Sequence, residues 1–401
     1  MKHPLLSLSF LLSALLAATA QDVQAVPNDS FYDPPTNLSD YNYGDVIRRR
    51  SIQQKFWQKA TIKEIIQVQY KTRLTSGEDS WSISTVLVPS NPGAKKQLYS
   101  YQVFEDAVQL DCAPSWTIKN GILSPGFGGI TNAVADSIEG QVDQGRYVVV
   151  PDHEGAESAF FGGRQEGYAG LDGIRAAINA VDLPKDTGVV IFGYSGGAHA
   201  TAWMVNQWES YAKDINLIGA AYGGTLVDAY QQIVYDDHYE SLVKGSVASL
   251  IAGLLVAYPD VNSSLWSHIT PDIQTAIVQM RIQPGGCDSA AFLTNFQGTV
   301  RAGINVNLSS FEPTKRMFQQ ETLLANLSSI PIPAPKFPRY IYHGSADEVA
   351  PYELIKEYVD EQESKGANIT FKTYDGYGHV QTAFNGLQDA ENWINSIFAS
   401  N

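Results

Sequence analysis

Apolar and polar positions follow two rhythms along this chain. Residues 65–73 (IIQVQYKTR) alternate with the period of a strand, which predicts a half-exposed β-strand. Residues 81–89 and 98–104 read as its neighbours. Residues 147–150 (YVVV) form a short apolar run ended by Pro151, and 189–192 (VVIF) form another. Such runs predict strands buried on both faces. Between and after them the spacing becomes helical, at 170–180 and 195–212, and a strand at 217–222 follows. The alternation then stops. Residues 225–325 read as mostly helical, with turns at Tyr258-Pro259 and at Gln283-Pro284-Gly285-Gly286. It resumes with a strand at 339–343, a helix at 353–363, a strand at 369–374 and a closing helix at 391–398. Buried strands alternating with helices predict a wound α/β sheet, mostly parallel, with a helical cap inserted late.

The start of the chain is different. Met1-Lys2-His3 is basic, Leu5 to Ala18 is apolar, and Ala18-Thr19-Ala20 ends in small residues. This pattern predicts a secretory signal peptide over 1–20, with Ala25 as a second cleavage point. Residues 21–60, rich in Pro, Asn, Asp and Ser, predict an irregular arm. The organisation is then core at 61–224, cap or lid at 225–325, and core again at 326–401. The longest later apolar run is 247–258 (VASLIAGLLVAY), too short to span a bilayer. As a lid this helix would present an apolar face outward; in the plainer reading it is a buried cap helix. Six Asn-x-Ser/Thr triplets, at Asn28, Asn37, Asn262, Asn307, Asn326 and Asn368, suit a secreted glycoprotein.

Composition narrows the function. A net charge of −15 repels phosphates, so no nucleic-acid partner is expected. With 2 cysteines the chain cannot build a four-cysteine zinc cluster, and no metal or cofactor is expected. In an oxidising compartment, Cys112 and Cys287 are expected to pair. A monomer is expected.

The sharpest chemical signal is Gly193-Tyr194-Ser195-Gly196-Gly197. It follows the 189–192 strand directly and opens a helix, the setting of a nucleophile elbow. The tight turn needs tiny residues two before and two after the serine, which Gly193 and Gly197 supply. It lifts the hydroxyl beside the helix N-terminus, where the Gly196 N–H points at developing negative charge. Serine needs a base. In this arrangement the chain order is Ser, acid, His, which removes His153 and His199. His238 and His268 fall in the insertion, and His343 precedes the best acid. His379 remains, in a glycine-rich loop after the 369–374 strand. Asp347, in the turn after the 339–343 strand, is the acid that would accept its Nδ1–H. Glu348 is the rival, and a helix N-cap is the plainer role for Asp347.

Four segments resemble the fungal secretory lipases of the lipase A-like group: Ser100 to Asp106 (SYQVFED) with Cys-Ala-Pro-Ser at 112–115, Val150 to Gly155 (VPDHEG), the serine motif, and Tyr342 to Asp347 (YHGSAD). The resemblance runs from about residue 25 to the end. It implies an α/β-hydrolase fold with a helical lid, and a secreted triacylglycerol lipase acting at a lipid–water interface. It implies Ser195, Asp347 and His379 as the triad, Asp106 and Gly196 as the oxyanion hole, and a Cys112–Cys287 disulfide. Asp106 rests on the resemblance alone. The competing readings are a carboxylesterase on smaller esters, a serine peptidase of the same fold, and an inactive hydrolase scaffold used for binding.

Overall fold

A computed structural model describes residues 24, 26–53, 61–121, 128–238, 244–283, 287 and 300–401. The expected signal peptide lies outside them, as do the glycines of the 283–286 turn. Nine strands form one sheet in the order β1-β2-β3-β5-β4-β6-β7-β8-β9. They are β1 Val46–Ile52, β2 Ile62–Arg73, β3 Asp79–Pro89, β4 Gln97–Gln102, β5 Tyr147–Pro151, β6 Gly188–Tyr194, β7 Leu217–Gly223, β8 Arg339–Gly344 and β9 Ile369–Tyr374. The first three pairings along the sheet are antiparallel, and every pairing from β5 to β9 is parallel. The parallel part therefore aims all its carboxyl ends at one edge.

Helices cover both faces. On one side, α3 (Gly163–Ala180), α4 (Gly196–Tyr211) and α10 (Tyr352–Ser364) bury Leu171, Ile174, Trp203 and Tyr358 against Val189, Ile191 and Ile341. On the other, α2 (Gly128–Asp143) and α11 (His379–Ser400) bury Ile138, Ile394 and Phe398 against Tyr99, Val190 and Tyr340. A short helix, α1 (Pro114–Asn120), follows β4. Between β7 and β8 lie α5 (Ala229–His238), α6 (Lys244–Ala257), α7 (Pro259–Leu265), α8 (Pro271–Ile282) and α9 (Glu312–Gln320). They pack round a core of their own that includes Ile251, Leu254, Leu265, Ile277 and Phe318. The chain enters and leaves this cap side by side: Leu323 N–H donates to Val227 O (2.8 Å) and Ala229 N–H to Glu321 O (3.2 Å). Cys112 and Cys287 form a disulfide with a sequence separation of 175, which ties the loop after β4 to the segment after α8.

Four expectations change. The 21–60 segment is not irregular throughout, because it contains the edge strand β1. Its Arg48, Arg49 and Arg50 look too polar for a strand, yet their heads reach Ser30 O, Ala180 O and Asp29 while the backbone pairs with β2. The helix over 247–258 is no droplet-facing lid surface here: Val247, Leu250, Ile251, Leu254 and Leu255 are all buried, so the plainer reading holds. The closing helix starts at His379, not 391, so His379 is not a loop residue. Gly386 lies inside this helix, where a Cβ would press on the Tyr342 ring, so it marks close packing. Asn262 is only 1% exposed and leaves no room for a glycan, whereas Asn28, Asn37, Asn307, Asn326 and Asn368 are exposed.

Candidate active site

Three side chains from separate strand ends meet at the carboxyl edge. Ser195 follows β6 with φ 57° and ψ −125°, a left-handed conformation a serine adopts only under constraint. Neighbouring glycines make the bend possible. A Cβ on Gly193 would collide with Gly197 O, and one on Gly197 with Gln102 O. Ser195 N–H donates to Gly223 O at 3.0 Å, which anchors the turn to β7.

Ser195 Oγ lies 2.8 Å from His379 Nε2. His379 Nδ1 lies 2.8 and 3.0 Å from the two oxygens of Asp347. Asp347 also accepts from Val349 N–H (2.9 Å) and Ala350 N–H (2.7 Å). Its capping role and its contact with the imidazole therefore coexist. Burial would push His379 down, but the charge and hydrogen bond of Asp347, with Glu348 and Asp106 behind them, outweigh it and hold the imidazole above its usual value. Burial would raise Asp347, and the two nearby histidines and its backbone donor hold it below the usual carboxylate value.

The rival acid has a different place. Glu348 Oε2 accepts the main-chain N–H of His379 at 2.9 Å, at the start of α11. Tyr194 Oη donates to His379 O at 2.6 Å, and the two rings lie 5.1 Å apart. The imidazole is thus held through its ring and through both sides of its peptide. Tyr194 stood in the serine motif as its variable residue, and nothing in the sequence marks it further.

Three other histidines are buried. His343, the last residue but one of β8, is buried with Nε2 3.0 Å from Ala350 O and 3.4 Å from Asp347. His199 Nδ1 lies 2.8 Å from Glu166, and its Nε2 accepts from Trp203 Nε1 at 3.1 Å. His153 is buried, and desolvation lowers it to about 4.

Asp106 follows β4 with φ 51°, and a Cβ on Gly196 would collide with its Oδ1. The carboxyl therefore lies directly over the start of α4, whose first N–H groups lack intrahelical partners. Its Oδ1 is buried without a hydrogen bond, and burial pushes the group up to about 7 despite His379 nearby. Below it sit further buried carboxyls that the sequence did not reveal as a cluster. Glu105 is raised well above the usual range by burial and by Asp152, Asp106 and Glu166, and Glu154 by burial and by Glu105, Glu166 and Asp106. Cap residues close over this edge. Tyr235 Oη donates to Asp347 O (3.0 Å), Gln232 Nε2 to Val349 O (2.7 Å), and Gln109 Nε2 to Met280 O (2.6 Å). Among the described residues, the one group with metal-ligand spacing is Asp111, Cys112 and Cys287, whose sulfurs are bonded to each other.

The sheet order, the helical insertion between β7 and β8 and the strained serine turn after β6 define an α/β-hydrolase. A profile of the secretory lipase family matches residues 129–401. Lipase A of Moesziomyces aphidis is 37% identical over 401 aligned residues, covering 96% of this chain and 84% of the relative. A protein of Malassezia globosa described as secreted triacylglycerol lipase LIP5 is 33% identical, covering 88% and 74%. The solved structure of Candida antarctica lipase A in its closed state superposes with a TM-score of 0.87 at 36% identity, covering 94% of this chain and 87% of that one. A rice cell wall degrading esterase from Xanthomonas oryzae shares the fold at a TM-score of 0.63 and 15% identity. The chain belongs to the secretory lipase family and is a lipase-type hydrolase. No helix among the described residues is long and apolar enough to cross a membrane.

Proposed function

We propose that this chain is an extracellular triacylglycerol lipase that works through a Ser195–His379–Asp347 triad and an acyl-enzyme. The observation that carries the reading is the unbroken hydrogen-bond path from Ser195 Oγ through His379 to Asp347, set at a helix N-terminus. Ser195 Oγ attacks the ester carbonyl as its proton passes to His379 Nε2. Asp347 holds the Nδ1–H tautomer and stabilises the imidazolium. The tetrahedral oxyanion sits against the Gly196 N–H and Asp106, whose carboxyl can donate while it is protonated. Collapse breaks the ester C–O bond, and His379 returns the proton to the departing alkoxide. Water then attacks the acyl-serine by the same route and releases the fatty acid.

The cap over 225–325 is proposed as the lid of this site, and the five exposed sequons support a secreted glycoprotein. The test is hydrolysis of p-nitrophenyl esters with acyl chains of increasing length, together with a triacylglycerol emulsion. Wild type should hydrolyse both, and Ser195→Ala should lose at least about 10³-fold in kcat. Comparable turnover by the alanine variant would refute the assignment, and activity confined to the shortest esters would favour an esterase.

A further inference from the structure

Among the described residues, the exposed large hydrophobics are Val26, Leu327, Val380 and Phe384. A solitary exposed apolar side chain calls for no explanation. Val26 and Leu327 are solitary. Val380 and Phe384 are not: they stand one turn apart on α11, share one face, and are each 47% exposed. The opposite ridge of that helix, Thr382, Gly386, Ala390, Ile394 and Phe398, is buried against the sheet, so this face is held outward.

Two further facts give the pair meaning. Val380 directly follows His379, whose ring touches Ser195 Oγ, so the apolar face adjoins the reacting atoms. Between Asp375 and Asp389 the chain carries no Asp, Glu, Lys or Arg, although its net charge is −15. The exposed neighbours Gln381, Asn385 and Gln388 are neutral.

We propose that the Val380–Phe384 face of α11 is the surface that seats on a neutral lipid–water interface and delivers insoluble ester to Ser195. This rests on the proposed lipase reading. A neutral ester phase fits a helix face whose own residues carry no charge, with Glu348 as the acid at its edge, whereas an anionic membrane would be repelled by the rest of the molecule. A second copy would bring the same negative charge. Two side chains also fall far short of the roughly 800 Å² per partner of a stable interface. A fluid surface needs no shape complement, because side chains enter it by partition.

The experiment uses the full chain with Val380→Gln and Phe384→Gln combined, and with the apolar-preserving Val380→Ile and Phe384→Leu combined. In a Ser195→Ala background, binding to phosphatidylcholine-coated triolein particles is measured by flotation. With Ser195 intact, the emulsion rate is compared with the rate on a soluble acetate ester. The glutamine variant should bind about tenfold more weakly, and its emulsion rate should fall about tenfold more than its soluble rate. The apolar variant should match wild type in both. Undiminished particle binding by the glutamine variant would overturn the proposal. So would equal losses in the glutamine and apolar variants, or a wild-type dimer that Phe384→Gln dissociates. A wild type inactive on both esters would defeat the lipase reading instead, while the flotation arm would still judge the docking face.

Discussion

Tyr194 Oη donates to the main-chain carbonyl of His379 at 2.6 Å, so the residue before Ser195 grips the residue whose ring meets the Ser195 hydroxyl. Tyr194→Phe keeps the ring beside the imidazole and removes only this bond. A net hydrogen bond of about 1 kcal/mol translates to a roughly fivefold fall in kcat. KM for a soluble ester should change less than about twofold, because the bond positions the base rather than the substrate. Steady-state kinetics of the variant check this; a KM effect alone would place Tyr194 in substrate binding.

Glu348 accepts the His379 N–H and adds negative charge near the ring. Glu348→Gln keeps an acceptor and removes the charge. The imidazole then loses support for its protonated form, so its pKa falls. The proposed base must be neutral to act, so the acid limb of kcat/KM should move to lower pH while the plateau is nearly kept. The pH–rate profile on a soluble ester reads this directly.

Asp106 is held up to about 7 by burial. As pH rises through that value the carboxyl ionises, and in the proposed mechanism it would then stop donating and repel the oxyanion. The wild-type rate should therefore decline on the alkaline side. Asp106→Asn, a donor at every pH, should remove that limb. Asp106→Ala should lower kcat at all pH values, by up to about 10²-fold if a full oxyanion donor is lost.

Stability should also fall toward neutral pH. Asp152, bonded to Ser115 N–H (2.7 Å) and Ser115 Oγ (2.6 Å), is pushed up by burial to about 7. Glu321 reaches about 7 and Asp172 about 6 for the same first reason. Unfolded carboxyls titrate near 4. Above that value the folded state keeps protons that the unfolded state has lost, so folding weakens as pH climbs toward 7. Burial also pushes Asp29 up, but Lys119, the Phe31 N–H and Arg50 overcome it and hold it at about 2. Its stabilisation is lost only in stronger acid. Calorimetry should give a Tm that drops from about pH 4 to 7, and Asp152→Asn should flatten the slope.

Much of this architecture can be read from single residues. Gly193 and Gly197 reveal the tight turn because no larger residue fits against Gly197 O and Gln102 O. The apolar runs before Pro151 and Gly193 reveal buried strands because such strands bear apolar groups on both faces. What is hidden depends on contacts between distant segments. Arg48 to Arg50 form a strand only because Asp29, Ser30 and Ala180 receive their heads. Glu348 and Asp347 are equivalent acids in sequence, and only the approach of α11 gives one the ring and the other the peptide N–H. The carboxyl cluster of Glu105, Asp106, Asp152 and Glu154 comes from two loops whose proximity no local pattern announces.

The proposal depends above all on an activated hydroxyl at Ser195. The most direct measurement is labelling of the folded enzyme with a fluorophosphonate, followed by peptide mass mapping. The account predicts one adduct, on Ser195, that vanishes in Ser195→Ala and slows by orders of magnitude in His379→Ala. Hydrolytic activity without that adduct, or an adduct on another serine that accounts for the activity, would contradict it.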